Sequence, residues 1–175
     1  MPGAGKTTFA KLFISQLLKL PGQGQNIVHL DGDELRRIFN NQDYTYDGRI
    51  NIAKQYSELA LMLANQGLNV VVSTVSLFHQ IHAWNRDNIP DYIEIYLAPN
   101  SDVLATRNQK NLYDDSHKDF KNIVGKGILP ETPLQPNYTF DQQNKSQMLD
   151  DVHRLIQQSY GINGDRQETG MTNER

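Results

Sequence analysis

The chain has 175 residues and no cysteine, and its 17 Lys and Arg residues against 20 Asp and Glu residues give a formal net charge of -3. This length and composition predict one globular domain with a substantial hydrophobic core. Without a basic excess, wholesale binding to nucleic acids or to anionic membranes is disfavoured. The lack of cysteine excludes disulfides, thiolate metal sites and a cysteine nucleophile, and it favours the cytoplasm as the compartment.

The first predicted element is an amphipathic helix close to the amino terminus. Its apolar residues recur at helical spacing: Phe9, Leu12, Phe13, Leu17 and Leu20. Polar residues interrupt them, so this is not the continuous apolar segment of a signal peptide. No stretch of the sequence approaches the ~18 uncharged apolar residues of a membrane span. We therefore expect no insertion into a membrane.

Beyond this helix, short apolar runs alternate with helical patterns. We predict strands at 26–30, 70–75 and 92–97. Between the first two strands, an apolar stripe predicts a helix that Gly67 stops. Further helices are predicted from about residue 101 and over 149–160. Strands that alternate with helices indicate an α/β fold with a parallel sheet.

Two segments lie outside this alternation. Residues 108–137 contain three prolines and two glycines with little periodicity, which predicts a functional lid or binding loop. Residues 161–175 are polar, which predicts a disordered tail. The sequence therefore predicts one folded domain over 1–160, without internal repeats.

The most informative motif is Met1-Pro2-Gly3-Ala4-Gly5-Lys6-Thr7-Thr8, which leads directly into the first helix. It matches the second half of a Walker A phosphate loop. Glycines let backbone N–H groups turn toward a phosphate, and the helix N-terminus adds its dipole. We expect residues 3–8 to bind ATP, with Lys6 on the β and γ oxygens and the Thr7 hydroxyl on Mg²⁺. The alternative is a flexible glycine-rich terminus ahead of a helix.

A complete Walker A motif needs a glycine one position before Met1 and a strand before that glycine, and the sequence contains neither. In this fold the first strand is central to the sheet. Its lack exposes the edges of the neighbouring strands and removes half of the phosphate nest. The sequence therefore predicts a truncated gene product or a misplaced start codon, with impaired activity. Restoring the strand and the glycine is expected to raise thermal stability and ATP affinity together.

A second motif, Leu30-Asp31-Gly32-Asp33-Glu34-Leu35-Arg36, follows the first predicted strand. Ligands of open α/β sheets bind at the carboxyl ends of the strands. We expect Asp33 to hold Mg²⁺ together with Thr7, and Asp31 or Asp33 to face an acceptor hydroxyl. Arg36 would then bind an anionic acceptor. The plainer interpretation is a turn whose aspartates cap the next helix.

In these motifs the sequence resembles the adenylyl-sulfate (APS) kinase family, and the similarity runs to about Tyr160. The family also has counterparts of Asn51-Ile52, of Val75-Ser76-Leu77-Phe78, of Arg107, Lys110, Leu112 and Tyr113, and of the lid residues Gly125, Glu131, Pro133 and Pro136. The resemblance implies a P-loop α/β kinase with ATP and Mg²⁺. It would transfer the γ-phosphate to the ribose 3′-hydroxyl of a nucleotide, by family default APS in sulfate assimilation.

The resemblance also implies roles for single residues. The catalytic residues would be Lys6, Asp31 and Asp33, and Arg107 would join Gly3, Ala4, Gly5, Lys6, Thr7 and Thr8 in binding ATP. The acceptor would contact Asp33, Arg36, Asn51, Ser76, Phe78, Arg86, Lys110 and Ile123. The partner is a small nucleotide-like molecule, and the resemblance admits a homodimer.

Three departures from the family lie where the acceptor would bind. Ile123 replaces a phenylalanine that stacks on adenine, His79 replaces an arginine, and Asp114-Asp115 replace part of a basic stretch. Stacking on an aromatic ring is worth ~1–3 kcal/mol per base, so these changes are large enough to alter which nucleotide is held. The same residues are similar to a subgroup from bacterial capsule modification that phosphorylates cytidine diphosphoramidate. We therefore expect weak activity on APS and better use of a cytidine compound.

Other functions stay open from the sequence. A nucleotide-binding switch would lack an acceptor pocket, whereas the proline-rich lid and the Asp-Gly-Asp-x-x-Arg element indicate one. A truncated, inactive remnant is the third possibility. His79 and His82 have His-x-x-His spacing, but no third ligand follows at a recognisable distance, which disfavours a zinc site.

Overall fold

The computed structural model describes residues 1–21, 26–100, 102–104, 127–141 and 144–160. Helices and strands alternate through most of this part of the chain. The helices are α1 (Lys6–Leu17), α2 (Gly32–Ile38), α3 (Tyr46–Ala64), α4 (His79–Asn88) and α5 (Lys145–Tyr160). The strands are β1 (Ile27–Asp31), β2 (Asn69–Ser73), β3 (Ile95–Leu97) and β4 (Tyr138–Phe140). The predicted α/β fold with parallel strands is confirmed.

The strands form two parallel pairs. β1 pairs with β2 in a register that sets Ile27 opposite Asn69 and Asp31 opposite Ser73. β3 pairs with β4, from Ile95 opposite Tyr138 to Leu97 opposite Phe140. These pairs are separate two-stranded sheets, and no strand of the described residues joins them.

Several elements differ from the sequence-based expectations. β2 ends at Ser73 instead of Val75, and β3 begins at Ile95. The N–H of Glu94 donates to the side-chain oxygen of Asn137 (2.8 Å), outside the regular ladder of β3 and β4. α4 was not predicted, because Ile81 is its one buried residue. β4 was not predicted either, since its three residues follow the proline-rich segment directly.

Glycines lie at the start of α1 and just after the end of α3. Gly5 precedes α1 with φ 88°, a left-handed conformation that a side chain disfavours, and Gly3 has φ 73°. Gly67 (φ 82°) follows α3, and the N–H of Leu68 donates to the carbonyl of Leu63. This is the glycine stop that the sequence predicts.

The core is divided into three clusters of buried side chains. The first cluster joins α1 and α5 to β3 and β4 around Phe9, Leu97, Phe140 and Leu155. The second surrounds Phe78 beside α4, and the third packs α2 and α3 against β1. A domain of this size usually has one contiguous core.

Within the described ranges, none of the helices combines the length and the apolar character that a membrane crossing requires. The predicted tail at 161–175 and the first part of the predicted lid, 108–126, lie outside the described residues.

Candidate functional site

The phosphate loop turns sharply between Met1 and the start of α1. Ala4 is fully buried, while Thr7 and Thr8 are exposed on the first turn of the helix. The Nζ of Lys6 donates to the carbonyl oxygen of Met1 (2.8 Å). The lysine therefore lies across its own loop, and it would have to leave this carbonyl to bind a phosphate.

The side chain of Asp31 connects the phosphate loop to both strands of the first sheet. Its Oδ2 accepts hydrogen bonds from Thr7 Oγ1 (2.6 Å) and from Ser73 Oγ (2.9 Å). Its Oδ1 accepts from the backbone N–H groups of Asp33 and Glu34 and so caps α2. The capping interpretation thus holds for Asp31, and the same carboxylate also contacts the proposed metal-binding threonine.

The hydrogen bonds determine the charge of Asp31. Burial alone would raise the pKa of its carboxyl, but the bonds from Thr7, Ser73, Glu34 and Asp33 outweigh burial and hold the pKa below its ordinary value. Asp31 is therefore ionised at neutral pH, and it accepts hydrogen bonds only.

His29 extends this network along β1. Its Nε2 lies 2.9 Å from Ser73 Oγ. Because the single hydroxyl proton of Ser73 goes to Asp31, His29 must donate from Nε2. Burial lowers the pKa of His29, although the charge of Asp31 raises it in part. His29 and Ser73 were not predicted from the sequence as residues of this site. In the sequence, each of them is a polar residue within an otherwise apolar strand. That the two side chains meet depends on the register of β1 and β2, which the sequence does not reveal.

Asp33 differs from Asp31 in its surroundings. It lies in the exposed first turn of α2, two residues beyond the end of β1. The motif thus contains one carboxylate held by four donors and one that belongs to an exposed residue.

Two arginines flank the ring of Tyr44 next to this motif. The guanidinium carbon of Arg36 lies 4.5 Å from the ring centroid, and that of Arg49 lies 5.2 Å from it. Arg36 also donates to the side chain of Asn41 and to the carbonyl of Asp43. Burial and the charge of Arg36 lower the pKa of Arg49. We call Arg36, Tyr44 and Arg49 the arginine–tyrosine stack.

Gly48 allows the turn that holds this stack. A Cβ at Gly48 would lie 2.1 Å from the carboxyl carbon of Asp43, so a side chain would displace Asp43. Asp43 accepts from the N–H and hydroxyl of Thr45, which in turn caps α3. Tyr44 and Arg49 were not assigned a role from the sequence, although Arg49 follows Gly48 directly.

The predicted acceptor residues Asn51, Ser76 and Phe78 have different environments. Asn51 is exposed on α3. Ser76 has a buried hydroxyl that has no hydrogen-bond partner within the described part of the chain. Phe78 is fully buried and meets the ring of Tyr46 edge-on at 5.3 Å. Its contact with an acceptor would require Tyr46 to move, and it stays a prediction.

Arg86 forms an ion pair with the buried carboxylate of Glu94. It donates to Glu94 Oε2 (2.5 Å) and to the carbonyl oxygen of Gln135 (2.9 Å). His82 Nδ1 lies 3.4 Å from Glu94 Oε1, and His82 Nε2 lies 2.5 Å from the carbonyl oxygen of Ser76. These contacts join α4 to the start of β3. The predicted contact of Arg86 with an acceptor stays a prediction.

The second half of the predicted lid folds back on α3 and α4. Glu131 Oε2 accepts from the backbone N–H of His79 (2.6 Å), and Tyr46 OH donates to Glu131 Oε1 (3.0 Å). His79 Nε2 lies 2.9 Å from the carbonyl oxygen of Thr132.

Among the described side chains, no group of three or more acidic, histidine or cysteine residues is arranged to hold a metal.

Three predicted site residues, Arg107, Lys110 and Ile123, lie outside the described residues, as do Asp114 and Asp115. The structure brings together Lys6, Thr7, Asp31 and Asp33, with Arg36 on the same helix as Asp33.

A family model for adenylylsulphate kinase matches residues 1–141, which include the phosphate loop, the Asp31 network and the arginine–tyrosine stack. The chain belongs to the adenylylsulphate kinase family. It is therefore an ATP-dependent kinase whose phosphoryl acceptor carries an alcohol group.

Relatives in this family include two with different printed activities. The chain is 37% identical over 134 residues to a cytidine diphosphoramidate kinase of Campylobacter jejuni, covering 76% of this chain and 77% of the relative. It is 31% identical over 160 residues to an adenylyl-sulfate kinase of Pseudomonas aeruginosa, covering 89% and 80%.

A solved structure shares the fold. The APS kinase of Mycobacterium tuberculosis, in complex with AMPPNP and APS, superimposes with a TM-score of 0.75 at 22% identity, over 89% of this chain and 91% of that one. At this identity the likeness supports the P-loop kinase fold.

Proposed function

We propose that this chain transfers the γ-phosphate of Mg²⁺-ATP to a ribose hydroxyl of a cytidine diphosphate derivative. One observation carries the kinase part. Thr7 of the phosphate loop is hydrogen-bonded to Asp31, and the exposed Asp33 lies two residues further along the chain, in the first turn of α2. Family membership supports ATP as the donor.

The side chains around Thr7 fit a magnesium ion. Mg²⁺ prefers oxygen ligands and is usually held by one or two carboxylates together with phosphates and waters. Because Thr7 gives its proton to Asp31, its oxygen lone pairs stay available to a cation. Thr7 and Asp33 would hold the ion, and Asp31 would orient Thr7. When bound, Mg²⁺ neutralises charge on the ATP phosphates.

Different residues would have different roles in phosphoryl transfer. The backbone N–H groups of the phosphate loop and Lys6 would bind the phosphates and compensate charge that grows in the transition state. Asp33 would accept the proton of the acceptor hydroxyl as its oxygen bonds to phosphorus and ADP departs. The arginine–tyrosine stack would bind an anionic acceptor through its two guanidinium groups.

The choice of a cytidine acceptor has two supports. The identity to the cytidine diphosphoramidate kinase, 37%, exceeds the 31% to the adenylyl-sulfate kinase. The sequence also has Ile123 and His79 where the family resemblance implies an adenine-stacking ring and an arginine. APS is the second candidate acceptor.

A side-by-side assay of ADP release with cytidine diphosphoramidate and with APS tests the proposal. We expect kcat/KM to be at least tenfold higher for the cytidine compound, because one lost stacking contact is worth ~1–3 kcal/mol. Lys6→Ala should abolish ADP release, whereas Lys11→Ala, an exposed change on the same helix, should not. Higher kcat/KM for APS would overturn the acceptor. Acceptor-dependent turnover by folded Lys6→Ala protein would overturn the kinase mechanism.

A further inference from the structure

His29, Asp31 and Ser73 lie together on one face of the first sheet. Residues two apart in a strand project to the same side, so His29 and Asp31 share a face of β1. The parallel register places Ser73 of β2 directly opposite Asp31. Helix α1 meets this face, because its Thr7 donates to Asp31. A row of polar side chains therefore leads from His29 to the phosphate loop.

The buried hydroxyl of Ser73 has one proton and two neighbours that could accept it. Its oxygen lies 2.9 Å from Asp31 Oδ2 and 2.9 Å from His29 Nε2. The ionised carboxylate of Asp31 can only accept hydrogen bonds. When His29 carries a proton on Nε2, it donates to Ser73, and the Ser73 proton goes to Asp31. When His29 carries its proton on Nδ1, two acceptors face a single hydroxyl proton, and one of them stays unsatisfied.

Burial favours the neutral form of His29, in which only one ring nitrogen carries a proton. Burial lowers the pKa of His29, and the charge of Lys11, one turn beyond Thr7 on α1, lowers it further. The carboxylates of Asp31 and Glu34 act in the opposite direction without reversing the shift. At neutral pH, the choice of tautomer therefore decides the direction of the Ser73 hydroxyl.

The direction of this hydroxyl affects Thr7 through Asp31. Asp31 Oδ2 accepts both from Ser73 and from Thr7 Oγ1 (2.6 Å). Chains of hydrogen bonds strengthen one another in a protein interior. An acceptor in place of His29 would compete with Asp31 for the Ser73 proton. Asp31 would then lose one of the two hydrogen bonds that its Oδ2 accepts.

We propose that His29 is a positioning residue for phosphoryl transfer, which donates from Nε2 to Ser73 and thereby keeps the Ser73 proton on Asp31 and the Thr7 hydroxyl in place. Hydrogen-bond partners behind the groups that bind a metal orient those groups. The inference deepens the proposed function, because it rests on Thr7 as a ligand of Mg²⁺. In this role His29 acts through Ser73 and Asp31.

The test compares His29→Gln with His29→Glu, whose side chains have the same length and nearly the same shape. Glutamine can donate to Ser73, whereas an ionised glutamate can only accept. We expect kcat of His29→Gln to stay within about threefold of wild type, because a donor still faces Ser73. In His29→Glu, kcat should fall about tenfold, and the Mg²⁺ concentration for half-maximal ADP release should rise about tenfold. KM for the acceptor should change little.

Two features separate this effect from a general effect of charge. An added negative charge would by itself attract Mg²⁺, so a purely electrostatic effect would lower the Mg²⁺ requirement. His153→Glu is the matched control, since it makes the same change at an exposed histidine of α5. It should leave kcat and the Mg²⁺ dependence as in wild type. Equal kcat and equal Mg²⁺ dependence in His29→Gln and His29→Glu would overturn the positioning role.

The tautomer of His29 is measured directly in the wild-type chain. Long-range proton–nitrogen correlation NMR of protein with isotope-labelled histidine distinguishes the two neutral tautomers, and the signal lost in His29→Gln belongs to His29. We expect a proton on Nε2 at neutral pH. A proton on Nδ1 would overturn the proposal, whether or not the variants fold. Wild type that releases no ADP with either acceptor would overturn the proposed function and the positioning role with it, even where the tautomer is the expected one.

Discussion

Asp31 is the residue on which the site's hydrogen bonds converge. Four donors from three elements hold its carboxylate, two of them hydroxyls. A carboxylate that accepts several bonds favours its ionised form and has little freedom to rotate. Asp31 is thus a positioning residue for Thr7 in the proposed mechanism.

Ser73→Ala tests this network through its pH dependence. The folded-state pKa of Asp31 is lowered, so its contribution to stability is full above the unfolded pKa and is lost as pH falls through the folded value. We expect the variant to lose about 1 kcal/mol at neutral pH. The difference from wild type should shrink in acid, where Asp31 is protonated. Thermal unfolding of both proteins, from neutral pH down into acid, measures the loss of stability and its dependence on pH.

Ser57→Ala is the matched control for this change. Ser57 is equally buried, but its hydroxyl donates to the neutral carbonyl of Ala53 within α3. The stability lost in Ser57→Ala should therefore not vary with pH. A pH-independent cost for Ser73→Ala would contradict the assigned role of its hydroxyl.

Asp31→Asn and Asp33→Asn should distinguish a role in stability from a role in phosphoryl transfer. Both should lower kcat far more than they weaken ATP binding, in keeping with work at the metal and the hydroxyl. Asp31→Asn should also lower Tm, because an amide replaces a carboxylate that four donors surround. Asp33 is exposed, so Asp33→Asn should leave Tm within about 2 °C of wild type. Equal, small effects on kcat would favour capping as the role of both aspartates.

At the scale of elements, Glu131 fixes α3, α4 and the second half of the lid to one another. Its carboxylate accepts the first N–H of α4 and the hydroxyl of Tyr46 at the start of α3. The bond from the His79 N–H is the largest cause that holds the pKa of Glu131 below its ordinary value. Glu131 therefore acts as a cap supplied from another segment of the chain.

Glu131→Gln should loosen this junction. We expect a loss of about 1 kcal/mol, or about 2–4 °C in Tm, and faster amide exchange at the start of α4. Glu58→Gln is the control, since Glu58 forms an exposed pair with Lys54 at 4.0 Å that is worth little. If amide exchange at the start of α4 is the same in Glu131→Gln and Glu58→Gln, Glu131 does not cap α4.

The elements also show what the sequence could reveal. α1, α3 and β1 were predicted because apolar periodicity and glycine stops are local signals. α4 and β4 were not, since tertiary contacts with Glu131 and β3 stabilise them more than their own patterns do. Likewise Asp31 could be predicted from its place after a strand. The link from His29 through Ser73 depends on the register of two strands 42 residues apart at Asp31 and Ser73.

At the scale of the whole molecule, the separation of the two sheets predicts that each one responds to substitutions in its own core cluster. Leu155 is buried in the cluster that packs against β3 and β4. Leu35 is buried in the other cluster, which packs against β1. Each change to alanine should cost about 2–5 kcal/mol locally. Native-state amide exchange should show Leu155→Ala lowering protection in β3 and β4 more than in β1 and β2.

Leu35→Ala is the reciprocal variant and should show the opposite distribution. If each substitution lowers protection in all four strands equally, the two sheets unfold as one cooperative unit. That result would mean that α1, which contacts both sides, couples them fully.

The arginine–tyrosine stack has a consequence for how substrates reach the enzyme. The chain carries a net charge of -3, so a distant anionic nucleotide is repelled, yet Arg36 and Arg49 place two positive charges beside the ring of Tyr44. Attraction of this kind is screened by salt, whose Debye length falls from about 10 Å at 0.1 M to about 3 Å at 1 M. Association with a polyphosphate ligand should therefore slow as ionic strength rises. Replacing Arg49 with glutamine should flatten that dependence, because a neutral side chain no longer attracts an anion toward the arginine–tyrosine stack.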